Sequence, residues 1–175
     1  MDILDMGALA QSEALAEGSL SAVALMEATM ARIEAVNGRV NAIVSLRSAD
    51  ALMAEARAAD AAPRRGWLHG IPMAIKDLAD AKGLPTSMGS PLFAGTIAQK
   101  DSVFVGRLRA AGAIIIGKTN TPEFGLGSHT FNPVHGATCN PYDLTKSAGG
   151  SSGGAAAVSY THLRSHETVL DLVCG

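Results

Sequence analysis

Two serines framed by glycines, Gly149-Gly150-Ser151-Ser152-Gly153-Gly154, run directly into Ala155-Ala156-Ala157. A bare Gly/Ser string reads as a flexible linker. A linker joins two folded parts, however, whereas this string enters an alanine-rich helix start, where backbone N–H groups and serine hydroxyls converge on a ligand. A serine here is therefore a candidate reactive or proton-relaying hydroxyl. At neutral pH such a hydroxyl is a weak nucleophile and needs a base to take its proton. The candidate bases are Lys76, at the end of the apolar run Ile71–Ile75, and the histidines His69, His129 and His135. A lysine serves as base only when neutral, which requires apolar surroundings that pull its pKa below about 10.4. Lys76 has those surroundings in sequence; its plainer reading is a solvated lysine or one salt-bridged to Asp77 or Asp80. His129 and His135 sit in a Gly/Asn/Pro stretch and read as polar loop contacts.

A second pattern suggests different chemistry. Gly112-Ala113-Ile114-Ile115-Ile116-Gly117-Lys118-Thr119 matches the phosphate-loop pattern GxxxxGKS/T letter for letter. Its variable residues, Ala-Ile-Ile-Ile, favour an extended buried strand over the turn that aims N–H groups at a phosphate. Pro122 reads as the first residue of a following helix, which leaves Lys118 and Thr119 in the connecting loop rather than at the helix start. Nucleotide binding is not expected.

Three co-linear segments then carry a resemblance: GIPMAIKDLADAKGLPTSMGS (Gly70–Ser90), DSVFVGRLRAAGAIIIGKTNTPEFGLGS (Asp101–Ser128) and NPYDLTKSAGGSSGGAAA (Asn140–Ala157). Together they resemble the amidase signature family over about residues 66–157, and the phosphate-loop match is that family's strand and turn. The resemblance implies a Ser–Ser–Lys triad in which the lysine of the IKD motif falls on Lys76. The first serine of GGSSGG, which that family holds on a cis peptide, falls on Ser151. It further implies that Phe124-Gly125-Leu126-Gly127 lies at the acyl pocket, with backbone groups of Gly125 offered to substrate. What it implies of activity is hydrolysis of a carboxylic amide C–N bond through an acyl-enzyme, on a small-molecule amide, without a cofactor.

The family's GTDxGGS segment, which carries the nucleophilic serine and the oxyanion-hole amides, has no counterpart in these residues. The chain thus reads as an N-terminal piece of an amidase, inactive by itself. Two alternatives stand beside the hydrolase. One is the A subunit of a glutamyl-tRNA amidotransferase, although the loop His129–His135 reads more like the stand-alone amidases. The other is a non-catalytic α/β binding module in which GGSSGG is a linker or ligand loop.

These residues need elements to hold them. Residues 2–62 read as helical, with apolar positions Leu20, Val23, Leu25, Met26, Met30, Ile33 and Val36 recurring at spacings near three and four. Ser21 and Ser48 are helix-start signals, Val40–Val44 reads as a short strand, and Pro63 stops the Ala49–Ala62 helix. Beyond it, strand and loop alternate. Ile71–Ile75 is a short strand whose Pro72 limits its place in a ladder. Ser102–Ala111 is a helix with Val103, Val105 and Leu108 toward a core and Arg107 and Arg109 toward water. Gly112 ends it, and Ala113–Ile116 follows as a buried strand. The fold class is α/β: the N-terminal part of the amidase signature fold, a mixed sheet covered by helices, truncated. Residues 1–157 form a partial amidase domain, with 1–62 its helical part and 63–157 the start of its α/β core.

Composition narrows the partners. Lys and Arg total 14 against 16 Asp and Glu, and the net charge of −2 gives no electrostatic reason to expect nucleic acid or an anionic membrane. The longest apolar run, Ala113–Ile116, falls short of the ~20 residues of a membrane span. Met1–Asp5 has two acids and no basic n-region, so the expected compartment is the cytoplasm. Cys139 and Cys174 lack any metal-binding spacing and read as free thiols. No alanine follows Ala157. The string Val158–Thr168, VSYTHLRSHET, resembles the translation of a transposon adapter, so 158–175 reads as a non-native tail.

Overall fold

The computed structural model describes residues 3–160; Cys174 and most of the 158–175 segment lie outside them. The N-terminal part forms α1 (Ala8–Glu17), α2 (Ala22–Val40), β1 (Ile43–Leu46) and α3 (Ala49–Ala61). Ser21 and Ser48 cap α2 and α3 as their positions predict, the first accepting from Ala24 N at 3.0 Å and the second from Ala51 N at 3.4 Å. The strand expected over Val40–Val44 starts later. Val40 ends α2, and Asn41 adopts the left-handed conformation that closes a helix. The Asn37 side chain then turns the chain into β1, its Oδ1 accepting from Ala42 N and Ile43 N at 3.0 and 2.8 Å.

The second part supplies β2 (Pro72–Lys76), α4 (Val103–Ala110), β3 (Ile114–Thr119) and α5 (Gly153–Tyr160), with the short strands β4 (Phe131–Asn132), β5 (Gly136–Ala137), β6 (Cys139–Asn140) and β7 (Asp143–Ser147) paired as two small hairpins. The main sheet has the order β1-β3-β2, with β2 parallel and β1 antiparallel to β3. This is the expected mixed sheet. Pro72 sits at the first position of β2, where a missing N–H is tolerated. In α4, Val105 and Leu108 are buried, but Val103 is 75% exposed. Two residues are not a helical repeat, so Val103 and Val105 cannot share a face, and Phe104 packs on the core instead.

Helices cover both faces. Ala74, Ile114 and Ile116 pack with α2, α3 and the Ala157–Val158 end of α5; Met73, Ile75 and Ile115 pack with Leu84 and with Val105 and Leu108 of α4. Side chains alternate between faces along a strand, and here the alternation is interrupted once. The β2–β3 register skips Ile116, pairing Met73 with Ile115 and Ala74 with Gly117. Such a bulge transfers every later side chain of β3 to the opposite face. Gly117 permits it, because a Cβ there would collide with the Ser45 carbonyl of β1. As a result, Lys118 and Thr119 are not in a connecting loop, as the sequence suggested. They lie inside β3 and are fully buried. Pro122 likewise opens only a single 3-10 turn, Glu123–Gly125.

Candidate active site

Lys76 is the last residue of β2, and Ser151 and Ser152 immediately precede α5, which packs on the same face of the sheet. Lys76 Nζ lies 2.9 Å from Ser151 Oγ and 2.9 Å from Ser152 Oγ. The lysine and the first serine singled out in the sequence are thus in direct contact across a separation of 75 residues. Ser152, which the sequence reading did not single out, occupies an equivalent position. Its signal was present in the doubled serine of the motif.

The glycine–serine string is held in place by contacts along its length. The Gly150–Ser151 peptide is cis, as the resemblance implied. Thr121 Oγ1 donates to Ser151 O at 3.3 Å and Gly153 N donates to Thr130 Oγ1 at 2.9 Å. Gly150 packs against the backbone of His129 and Gly127, while Gly154 leaves no room for a Cβ between it and the Asn120 backbone. A linker makes no such contacts. Behind the string runs a buried amide network. Asn132 Nδ2 donates to Asn120 Oδ1 at 2.7 Å, Asn120 Nδ2 to Thr138 Oγ1 at 3.0 Å, and Thr138 Oγ1 to Asn41 O at 2.7 Å. Thr119, beside Lys76 in the ladder, has a buried hydroxyl with no hydrogen-bond partner among the described residues.

The salt bridge considered for Lys76 goes to another lysine. Asp77 Oδ1 accepts from Lys118 Nζ at 3.0 Å, and Lys118 Nζ also donates to Pro85 O and Thr86 Oγ1, each at 3.1 Å. Asp77 further accepts from Ser87 Oγ at 2.6 Å and has His135 Nε2 at 3.8 Å. Burial pushes the Asp77 carboxyl upward, but the contacts from His135, Ser87 and Lys118 outweigh it and hold the group below the usual carboxylate range. Burial pulls Lys118 below an ordinary lysine, opposed by the charge of Asp77.

The histidines make their hydrogen bonds elsewhere. His69 Nε2 lies 2.9 Å from Ala59 O, His129 Nδ1 2.9 Å from Ser147 Oγ, and His135 Nε2 3.1 Å from Ser87 Oγ. Gly125 donates its N–H to Pro122 O at 2.8 Å, so only its carbonyl remains for a ligand. The adjoining segment lines a cavity of about 400 Å³ walled by Pro122, Leu126, His129, Phe131 and Pro133. Among the described residues no group of three or more His, Cys, Asp or Glu could hold a metal ion, Cys139 is a free thiol, and no helix is long and apolar enough to cross a membrane.

Known proteins resemble this chain in sequence and in fold. The Amidase family model matches residues 24–160. The A subunit of the Streptomyces coelicolor glutamyl-tRNA(Gln) amidotransferase is 44% identical over 160 residues, covering 89% of this chain and 32% of that protein. The indoleacetamide hydrolase of Bradyrhizobium diazoefficiens is 46% identical over 148 residues, covering 82% of this chain and 28% of that protein. Among solved structures, 6-aminohexanoate cyclic dimer hydrolase superimposes with a TM-score of 0.81 at 36% identity over 94% of this chain and 33% of that one. The peptide amidase of Stenotrophomonas maltophilia gives 0.81 at 32% identity, over 91% and 35%. The chain spans about a third of the length of these relatives.

Proposed function

The chain belongs to the Amidase family, and we propose that it carries the base and the proton relay of an enzyme that hydrolyses the C–N bond of a small-molecule carboxylic amide. The observation that supports this reading is the 2.9 Å contact between Lys76 Nζ and Ser151 Oγ. A hydroxyl both donates and accepts, so the same contact serves whether the amine is charged or neutral. With Lys76 neutral, its lone pair takes the proton of Ser151, and Ser151 takes one from a nucleophilic serine lying outside these 175 residues. That serine's oxygen adds to the amide carbonyl. When the tetrahedral intermediate collapses, the C–N bond breaks and the proton returns through Ser151 to the departing amine. Water then adds to the resulting acyl ester by the same relay and releases the acid. Ser152 holds Lys76 from a second side, the Gly125 carbonyl faces the substrate, and no step calls for a cofactor.

The test is Lys76→Ala in the full-length parent. Turnover of a simple amide should fall by at least about 10²–10⁴, the loss expected on removing a general acid–base, with folding retained. Near-normal turnover at every pH would mean the base lies elsewhere, His129 being next in line.

The relatives named as A subunits of glutamyl-tRNA(Gln) amidotransferases favour a second reading, in which this chain is part of such an A-type protein. Glutamine-dependent ammonia release by a copurifying complex would establish it, and hydrolysis of simple amides by the isolated parent would favour the stand-alone enzyme.

A further inference from the structure

Lys118 and Asp77 are 0% and 1% exposed, and nothing in the proposed relay uses them. A buried ion pair is a poor source of stability, since taking two charges out of water costs as much as their attraction returns. Its placement suggests another purpose. Asp77 follows Lys76 directly and continues the ladder, donating its N–H to Thr119 O at 3.0 Å. Consecutive residues of a strand point to opposite faces. Lys76 therefore meets the serines on the α5 face, and Asp77 lies on the other. The bulge at Gly117 brings Lys118 to the Asp77 face; an unbroken period would have placed it elsewhere.

The contacts of both groups fit the charged forms. Lys118 Nζ meets three acceptors, Asp77 Oδ1, Pro85 O and Thr86 Oγ1, which is the complement of an ammonium. Asp77 accepts from Lys118 and from the Ser87 N–H and hydroxyl, which is the environment of a carboxylate. A lone carboxylate one residue from Lys76 would hold that lysine protonated, the opposite of what a base requires.

We propose that Lys118 is a positioning residue for the chemistry of Lys76: by cancelling the charge of Asp77 across the sheet, it lets Lys76 give up its proton. This rests on the reading of Lys76 as the base. The other groups that bear on the balance are His135, 3.8 Å from Asp77 Oδ2, and Asp80, whose charge acts on Lys118. On the Lys76 face stand Ser151, Ser152 and α5, whose residues Gly153–Ser159 carry no charge, and α2 and α3, whose side chains buried against that face are apolar.

The titration of Lys76 is measured directly in the 175-residue chain, by competitive acetylation with acetic anhydride across pH and mass spectrometry of the Lys76 peptide. In Lys118→Met the uncompensated carboxylate should slow acetylation at neutral pH on the order of tenfold, as a neighbouring charge at an effective dielectric constant near 20 would do. Asp77→Asn/Lys118→Met, which removes both charges, should restore the parental rate. A parental rate in Lys118→Met, or a double variant as slow as Lys118→Met, overturns the proposal. Should Lys118→Met fail to fold, the double variant decides alone: a parental titration supports the proposal and a tenfold slowing overturns it. An unsubstituted chain whose Lys76 titrates at the ordinary value of about 10.4 would instead overturn the base assignment, an outcome separable from either of these.

Discussion

Thr119 stands next to Lys76 with its hydroxyl enclosed and unpartnered among the described residues. Removing a buried polar group that has no partner costs nothing and recovers its desolvation. Thr119→Val, which keeps the branched shape, should leave stability unchanged or raise it by about 1 kcal/mol, measured as the urea midpoint. A clear loss would reveal a partner for the hydroxyl. The contrast with Lys76 shows what the sequence discloses at this scale. Lys76 was one candidate among four because an apolar run leads into it, and the serine pair was a candidate because it enters a helix start; the family resemblance alone pointed to Ser151. Lys118 was not legible, because its burial depends on an acceptor set, Asp77, Pro85 and Thr86, that only the folded chain assembles. Ser152 was passed over because two adjacent serines look alike until the position of the amine is known.

Among the elements, β3 depends on one small residue. Gly117→Ala would drive a methyl group into the Ser45 carbonyl of the neighbouring strand. The sheet must open there or the bulge must be lost, at a cost of about 1–3 kcal/mol, typical of overpacking. Thermal unfolding checks this, and amide exchange at Arg47, whose N–H donates to Ile116 O at 2.9 Å, should speed up. Helices were read well from sequence where a capping serine marks the start, as at Ser21 and Ser48, since capping is a local matter. Ends that depend on side chains reaching back were read less well. Val40 looks like a strand residue by type, and it is Asn37 and the left-handed Asn41 that keep it helical. The bulge left no trace in the apolar pattern because Ile114, Ile115 and Ile116 are identical in type, so a residue skipped among them changes nothing visible.

For the whole molecule, acid should act through Asp77. Its carboxyl titrates lower in the folded chain than in the unfolded one, so the unfolded state takes up protons first as pH falls. The stability it contributes is complete above the unfolded value of about 3.9 and is lost as pH drops through the folded one. Urea midpoints should fall below about pH 4, and Asp77→Asn, though less stable at neutral pH, should have a shallower acid slope. An equally steep slope would place the acid sensitivity in other carboxylates. The sheet with helices on both faces was legible from composition and order, whereas the tie between the helical N-terminal part and the β4–β5 hairpin region was not. That tie is Asn41, whose side chain donates to His135 O and Ala137 O and whose carbonyl accepts from Thr138, across separations of 94, 96 and 97 residues. During synthesis at about 5–20 residues per second, His135 is added on the order of 5–20 s after Asn41. For that interval the end of α2 is closed by Asn37 and the Asn41 N–H alone, while the Asn41 side chain and carbonyl have only water to bond; every residue of the clasp precedes GGSSGG in the order of synthesis.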